Sequence, residues 1–383
     1  MDVDGSWAVV DEVDGVLLPN EQQSFDAATG ADGLDERETT SGSRNDAPLI
    51  GDSDEGIAER GLLDNIKRSI KRLDSSDQSG ELASIVDRPE FQDPHEFPLM
   101  IPDRYGTPLD RPDGIRTPLF DGKPRREQAQ QGALGDCGII ATFGAVAAHH
   151  PEAIRECVRE TGEGNYEVRL HDAKFSSSSL CYEPTGHTIT LTVTPEFPVF
   201  EANPDRPSFA DSNETGAAWA PVLEKAVAGI DQIWSDERKQ KWEERWKVIQ
   251  PDEEPPTGYV RMNKGSHPSD RAELLTQLTG FPARTWDVPD SYDARGRSPD
   301  RQILDEFRAQ LSENKPILIG TRDLRSNEKR LPHNLVSGHA YEVTKATADG
   351  RIHLRNPYNK DHPTPMTAKE FRANMRQRYT TLG

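Results

Sequence analysis

The residues of this chain best suited to chemistry are one cysteine, one histidine and one asparagine, far apart along the sequence. The cysteine closes the segment Gln131-Gly-Ala-Leu-Gly-Asp-Cys137 and opens an apolar run of small residues, CGIIATFGAVAA. Glycines before it allow a tight turn into a helix and a close approach by another backbone. A cysteine at a helix N-terminus feels the positive end of the macrodipole, which favours thiolate over thiol. Gln131 lies in a loop that can fold back beside the sulfur. Its neutral amide suits stabilising an oxyanion without quenching a nucleophile. Cys157 and Cys181 do not follow a glycine turn and read as small core hydrophobes. Three cysteines without CxxC spacing support neither a disulfide framework nor a structural zinc site. The metal set is therefore none.

The histidine is His339, in Val-Ser-Gly-His-Ala-Tyr-Glu-Val, where it stands at the start of an alternating strand. Asn356 follows the strand-like segment 351–355 and precedes Pro357. Antiparallel pairing of 338–345 with 350–356 would set the carboxamide beside the imidazole. Such an amide fixes the ring while the other nitrogen faces the thiol. Cys, His, Asn in that chain order is the papain-type arrangement of a thiol protease. His149-His150 lacks a second ligand pair, and no glycine-rich phosphate loop follows a strand.

The elements that must position these groups follow from periodicity. Helices are predicted from Cys137 to about 148, over 151–160 with Pro151 in the first turn, and over 219–230 and 235–249. Two more are predicted over 270–280, with Asp270 as N-cap and Gly280 as stop, and over 300–314. Strands are predicted over 165–170, 187–194, 316–321, 337–345 and 351–355. The Pro-rich, acidic run 251–258 is the best internal boundary.

Composition separates a tail from a folded body. The net charge is −20, and residues 1–90 carry 22 Asp and Glu against 8 Lys and Arg, so −14 of it sits there. Residues 1–95 are expected to be a mostly disordered acidic tail. Within it, Leu62, Ile66, Ile70 and Leu73 mark a short basic amphipathic helix over 57–73, suited to binding a partner or the protein body. An acidic balance argues against nucleic-acid binding. No apolar run approaches the length of a transmembrane segment, and no Sec-type signal peptide is visible. A cytoplasmic location is expected; an effector exported by a non-Sec route would look the same.

QGALGDC followed by an apolar helix resembles the active-site segment of calpain-type cysteine proteases. In that family's order come GNYEVRL, ITLTVTPEFP, WAPVLEKAVA, LLTQLTG, SGHAYEV and LRNPY, so the resemblance covers roughly 95–383. It implies an α+β, papain-like two-lobed core: 96–255 as a helical lobe carrying the cysteine, 256–383 as a strand-rich lobe carrying His and Asn. By the same resemblance Cys137 is the nucleophile, His339 the general base and acid, Asn356 the orienting residue and Gln131 the oxyanion-hole partner. The implied activity is a calpain-like endopeptidase acting on protein or peptide through a Cys137 thioester. Deamidase or transglutaminase chemistry on the same triad, and an inactive protease-like binding module, are the alternatives. The chemistry requires no cofactor. The family's calcium dependence stays open, because its acidic loops do not map here and no EF-hand loop is present. Asp211, Glu214, Asp287, Asp290 and Asp293 read as solvated surface. Two positions depart from the family pattern: Gly138 stands where tryptophan usually follows the cysteine, and Tyr358 where tryptophan usually follows Asn-Pro.

Overall fold

The computed structural model describes residues 82–93, 101–110, 112–211 and 213–383. Most of the acidic tail, with its helix expected over 57–73, lies outside these described residues. Two short strands come first, β1 (Leu82–Val86) and β2 (Arg104–Gly106). The small-residue run then forms α1 (Cys137–His149), buried from Gly138 through Ala147. A helix with no wet side must let its neighbours come close, and small residues permit this. At Gly144 an added Cβ would stand 2.4 Å from Nη1 of Arg355.

The helix α2 (Pro151–Cys157) starts on its proline as expected but stops three residues short of the predicted end. Val158–Glu160 is instead strand β3, because pairing Val158 with Val168 completes the sheet edge and buries the valine. Strands β4 (Tyr166–Ser176) and β5 (Cys181–Val193) form a hairpin longer than the segments read from sequence. A register shift between His171 and Ala173 breaks the alternation there and hides the distal half. Strand β6 (Phe197–Val199) pairs with β2. Helix α3 (Trp219–Gly229) is buried throughout, whereas α4 (Asp236–Ile249) is a charged surface helix capped by Ser235.

After α5 (Gly258–Asn263), helix α6 (Pro268–Thr279) begins two residues before the predicted start. His267 is the N-cap, and Asp270 occupies the third helical position, its carboxylate accepting the His267 N–H at 2.8 Å. Asp270 is thus half of a capping box and not the cap itself. Gly280 ends the helix at φ +67°, the left-handed stop that glycine supplies. The chain closes with β7 (Ala283–Asp287), α7 (Pro299–Ser312), β8 (Ile317–Thr321), β9 (Ala340–Ala346), β10 (Arg351–Arg355), β11 (Met366–Thr367), α8 (Ala368–Asn374) and β12 (Met375–Leu382).

The fold is a mixed helix-and-sheet, α+β structure. Among the described residues one sheet runs β11-β10-β9-β8-β12-β7-β5-β4-β3, with β1 added parallel to β5. All five residues of β8 are buried, as a central strand requires. A single pairing, Tyr182 with Ala283, joins β5 to β7. Two apolar clusters flank that seam. One packs α1, α3 and α6 on β4 and β5; the other packs α7 and α8 on β8, β9, β10 and β12. The longest strands therefore lie in the segment expected to be helix-rich, and α6 buries Leu274, Leu275 and Leu278 in the first cluster. No helix among the described residues is long and apolar enough to cross a membrane.

Candidate active site

Cys137 is the first residue of α1, and its sulfur accepts the backbone N–H of Ala340 at 3.3 Å. Ala340 opens β9, directly after His339, so two residues 203 positions apart bring the thiol and the imidazole-bearing strand end together. Thr321, the last residue of β8, holds His339 in place. Its hydroxyl accepts the His339 N–H at 2.9 Å, and its N–H donates to the His339 carbonyl at 2.9 Å. The β9–β10 pairing sets Arg355 opposite Glu342, with a bulge between His353 and Leu354. Asn356, the next residue, then lies alongside the ring.

His339 Nε2 and Asn356 Oδ1 are 2.9 Å apart, and the Tyr358 N–H donates to the same Oδ1 at 3.1 Å. An oxygen that already accepts from Tyr358 must be an acceptor towards the ring, so Nε2 carries the proton and Nδ1 the free lone pair. Tyr358 stacks on the imidazole with centroids 5.1 Å apart, and Tyr341 meets it edge-on. Among the described residues no hydrogen bond joins the Cys137 sulfur to the ring.

The loop carrying Gln131 meets the segment that follows Asn356. Its N–H donates to the Pro357 carbonyl at 3.0 Å, and its side-chain amide donates to Leu134 O at 2.7 Å. The amide has a second N–H, and its Oε1 is buried without a partner. Arg355 ties this loop to the His–Asn strands: its Nη2 donates to the carbonyls of Arg126 and Ala129, each at 2.6 Å. Glu342, fully buried on β9, pairs with Arg126 at 3.2 Å.

The electrostatics differ from the sequence expectation. Burial pushes the Cys137 thiol up; the Ala340 N–H pulls it back, Asp136 pushes it up further, and Arg271 opposes that. Burial is the largest of these effects and holds the thiol above its ordinary range, so the resting thiol is protonated at neutral pH. Burial also lowers His339 to about 4, against the pull of its bond to Asn356. Thiol and imidazole therefore both rest in their neutral forms at neutral pH.

Sequence reasoning missed three contributors. Asp136, the residue before the nucleophile, and Glu224 are both buried; burial pushes both carboxyls up, and each acts on the other. Gly138 is roofed by Ser266: an added Cβ would stand 1.9 Å from its Oγ. Arg271 is buried beside that contact. The signal for Arg271 was legible, since with Leu274, Leu275 and Leu278 it keeps the i, i+3, i+4, i+7 spacing of an apolar helix face. Cys157 and Cys181 are buried, and burial pushes Cys157 up to about 12. Asp211 departs from the surface reading, being buried and bonded to Arg206 and to the Asn213 N–H. Glu214 also pairs with Arg206, Asp287 with Arg378 and Asp293 with Arg297. Among the described residues no group of three or more His, Cys, Asp or Glu could hold a metal ion.

No family model matches the chain. It is distantly similar to a calpain from Schistosoma mansoni, 20% identical over 291 residues. The match covers 74% of this chain and 30% of that relative, so the chain spans less than a third of the relative's length.

Proposed function

We propose that the chain is a calpain-like cysteine endopeptidase with a papain-like two-lobed core, in which Cys137 is the nucleophile, His339 the base and acid, Asn356 the orienting group and Gln131 an oxyanion donor. The observation that carries this reading is the Ala340 N–H on the Cys137 sulfur, one residue from an imidazole whose tautomer Asn356 fixes. The distant similarity to a calpain supports the same reading.

On attack, His339 Nδ1 takes the thiol proton as sulfur bonds to the peptide carbonyl carbon. The oxygen gains negative charge beside the first-turn N–H of Cys137 and the second amide hydrogen of Gln131. Collapse breaks the C–N bond, and the imidazolium returns its proton to the leaving amine. Water, deprotonated by the same Nδ1, then cleaves the thioester and regenerates the thiol. A base at about 4 is weak towards a raised thiol, so proton transfer coupled to attack fits better than a resting ion pair.

Incubating wild type, Cys137→Ala and His339→Ala with casein, and reading products by mass spectrometry, tests the proposal. Chain scission in the wild type alone is expected. Undiminished scission in both variants, or a glutamine-to-glutamate mass change without scission, would overturn it.

A further inference from the structure

Arg271 has an unusual set of neighbours for a buried arginine. It lies on the apolar face of α6 and is 4% exposed. Its Nη1 donates to the Ser266 carbonyl at 2.9 Å, while its Nε is buried with no partner. Among the described residues no carboxylate lies within ion-pair distance of it. Burying a guanidinium without an anion is costly, so the anion must come from elsewhere.

Its stem points to the source. Cδ of Arg271 lies 3.3 Å from where a Cβ on Gly138 would be, against the residue that follows the nucleophile. Of the acidic groups around it, the Cys137 sulfur acts most strongly on its charge, ahead of Asp270. The missing side chain at Gly138 leaves this space to Ser266 and to the Arg271 stem, which packs against the residue next to the nucleophile.

Resting on the endopeptidase reading, we propose that Arg271 is a positioning residue: the fixed counter-charge that stabilises the Cys137 thiolate as its proton leaves for His339. The imidazole is neutral until that moment, so a permanent cation nearby supplies the attraction that an imidazolium would otherwise provide. The other titratable groups around the sulfur are Asp136, whose carboxyl burial pushes up, and Tyr341 on β9, with His339 one residue from the N–H that the sulfur accepts. None of them is a standing positive charge at neutral pH.

The test is the pH profile of Cys137 alkylation by iodoacetamide, followed on the Cys137 peptide in the full chain. Arg271→Gln should raise the midpoint by about one unit, making alkylation roughly tenfold slower on the acid side, and Arg271→Lys should restore most of it. A folded Arg271→Gln with the wild-type profile would overturn the proposal. If the neutral variant does not fold, the wild type decides. The buried Nε–H resonance of Arg271 should shift with the Cys137 titration and stay still in Cys137→Ser; equal behaviour in both refutes the pairing. A shifted profile in a chain that cleaves no protein would sink the peptidase reading and leave the counter-charge. Normal cleavage with an unshifted profile would do the reverse.

Discussion

Tyr358 lies flat on the imidazole of His339, with ring centroids 5.1 Å apart and planes within 9° of parallel. Its own backbone N–H donates to the Asn356 oxygen that receives the ring proton. One residue therefore covers the His–Asn bond with its side chain and orients the acceptor with its backbone. A phenol ring is smaller than an indole, but its stacked position puts an apolar face where water would compete for Nε2–H.

That cover can be removed without touching the triad. Tyr358→Ala should lower kcat roughly tenfold, about 1.4 kcal/mol, near the upper end for an aromatic pair. Tyr358→Trp should keep wild-type turnover, since a larger ring stacks at least as well. Steady-state kinetics on a peptide substrate measures both, and an unchanged Tyr358→Ala would show that the stack shields nothing.

Asn356 should act through the ring's orientation and its titration together. Asn356→Ala leaves a buried N–H without a partner, a penalty of about 1–3 kcal/mol that predicts a roughly 5- to 150-fold lower kcat. The amide's bond raises the His339 value, so its loss lowers that value further and moves the acid limb of kcat/KM to lower pH. Asn356→Asp should move the limb the opposite way, because a carboxylate favours imidazolium. A limb that does not move in either variant would show that the bond does not tune the ring.

These groups were legible in sequence to the extent that short-range pattern specifies them. Cys137 begins a helix because glycines precede it and an apolar run follows. Asn356 meets His339 because β9 and β10 are adjacent hairpin strands with few residues between them. What escaped depends on distant neighbours. β12 (MRQRYTTL) alternates arginine with less polar residues like a surface segment, yet the chain inserts it between β8 and β7 and buries Tyr379 through Leu382. The thiol's raised value comes from burial by residues far along the chain, which no local pattern reports. Gly138 looked like a missing side chain; it is a space that Ser266 and Arg271 fill.

That last relationship predicts a compensated pair. Gly138→Ala drives a methyl to 1.9 Å from the Ser266 hydroxyl and should destabilise by about 1–3 kcal/mol, the usual range for overpacking. Combining it with Ser266→Gly, which removes the obstructing atoms, should recover most of the loss. Denaturant unfolding of the four proteins of the cycle gives the coupling directly. Additive effects would mean that the two residues do not compete for the same space.

The carboxyl pair behind the nucleophile makes stability depend on pH with a definite sign. Burial raises both Asp136 and Glu224, so the folded protein keeps a proton there that the unfolded chain has released above about pH 4. Their contribution is fully present below that pH and is lost as pH rises through the folded values. Glu224→Gln keeps the geometry. Its amide oxygen can accept the Ala210 N–H that Glu224 now accepts at 3.0 Å, and the amide carries no titrating proton. The variant therefore has only the Asp136 proton to lose and should melt higher than wild type at pH 8, with the gap closing towards pH 5. Each kcal/mol corresponds to roughly 2 °C for a chain of this size. His150, His267 and His339, each lowered to about 4 by burial, act with the opposite sign: their contribution is lost as pH falls. They are common to both proteins and cancel in the difference. Thermal melts of the two proteins across pH 5 to 8 measure it, and a gap that does not widen with pH would show that burial does not hold a proton on Glu224.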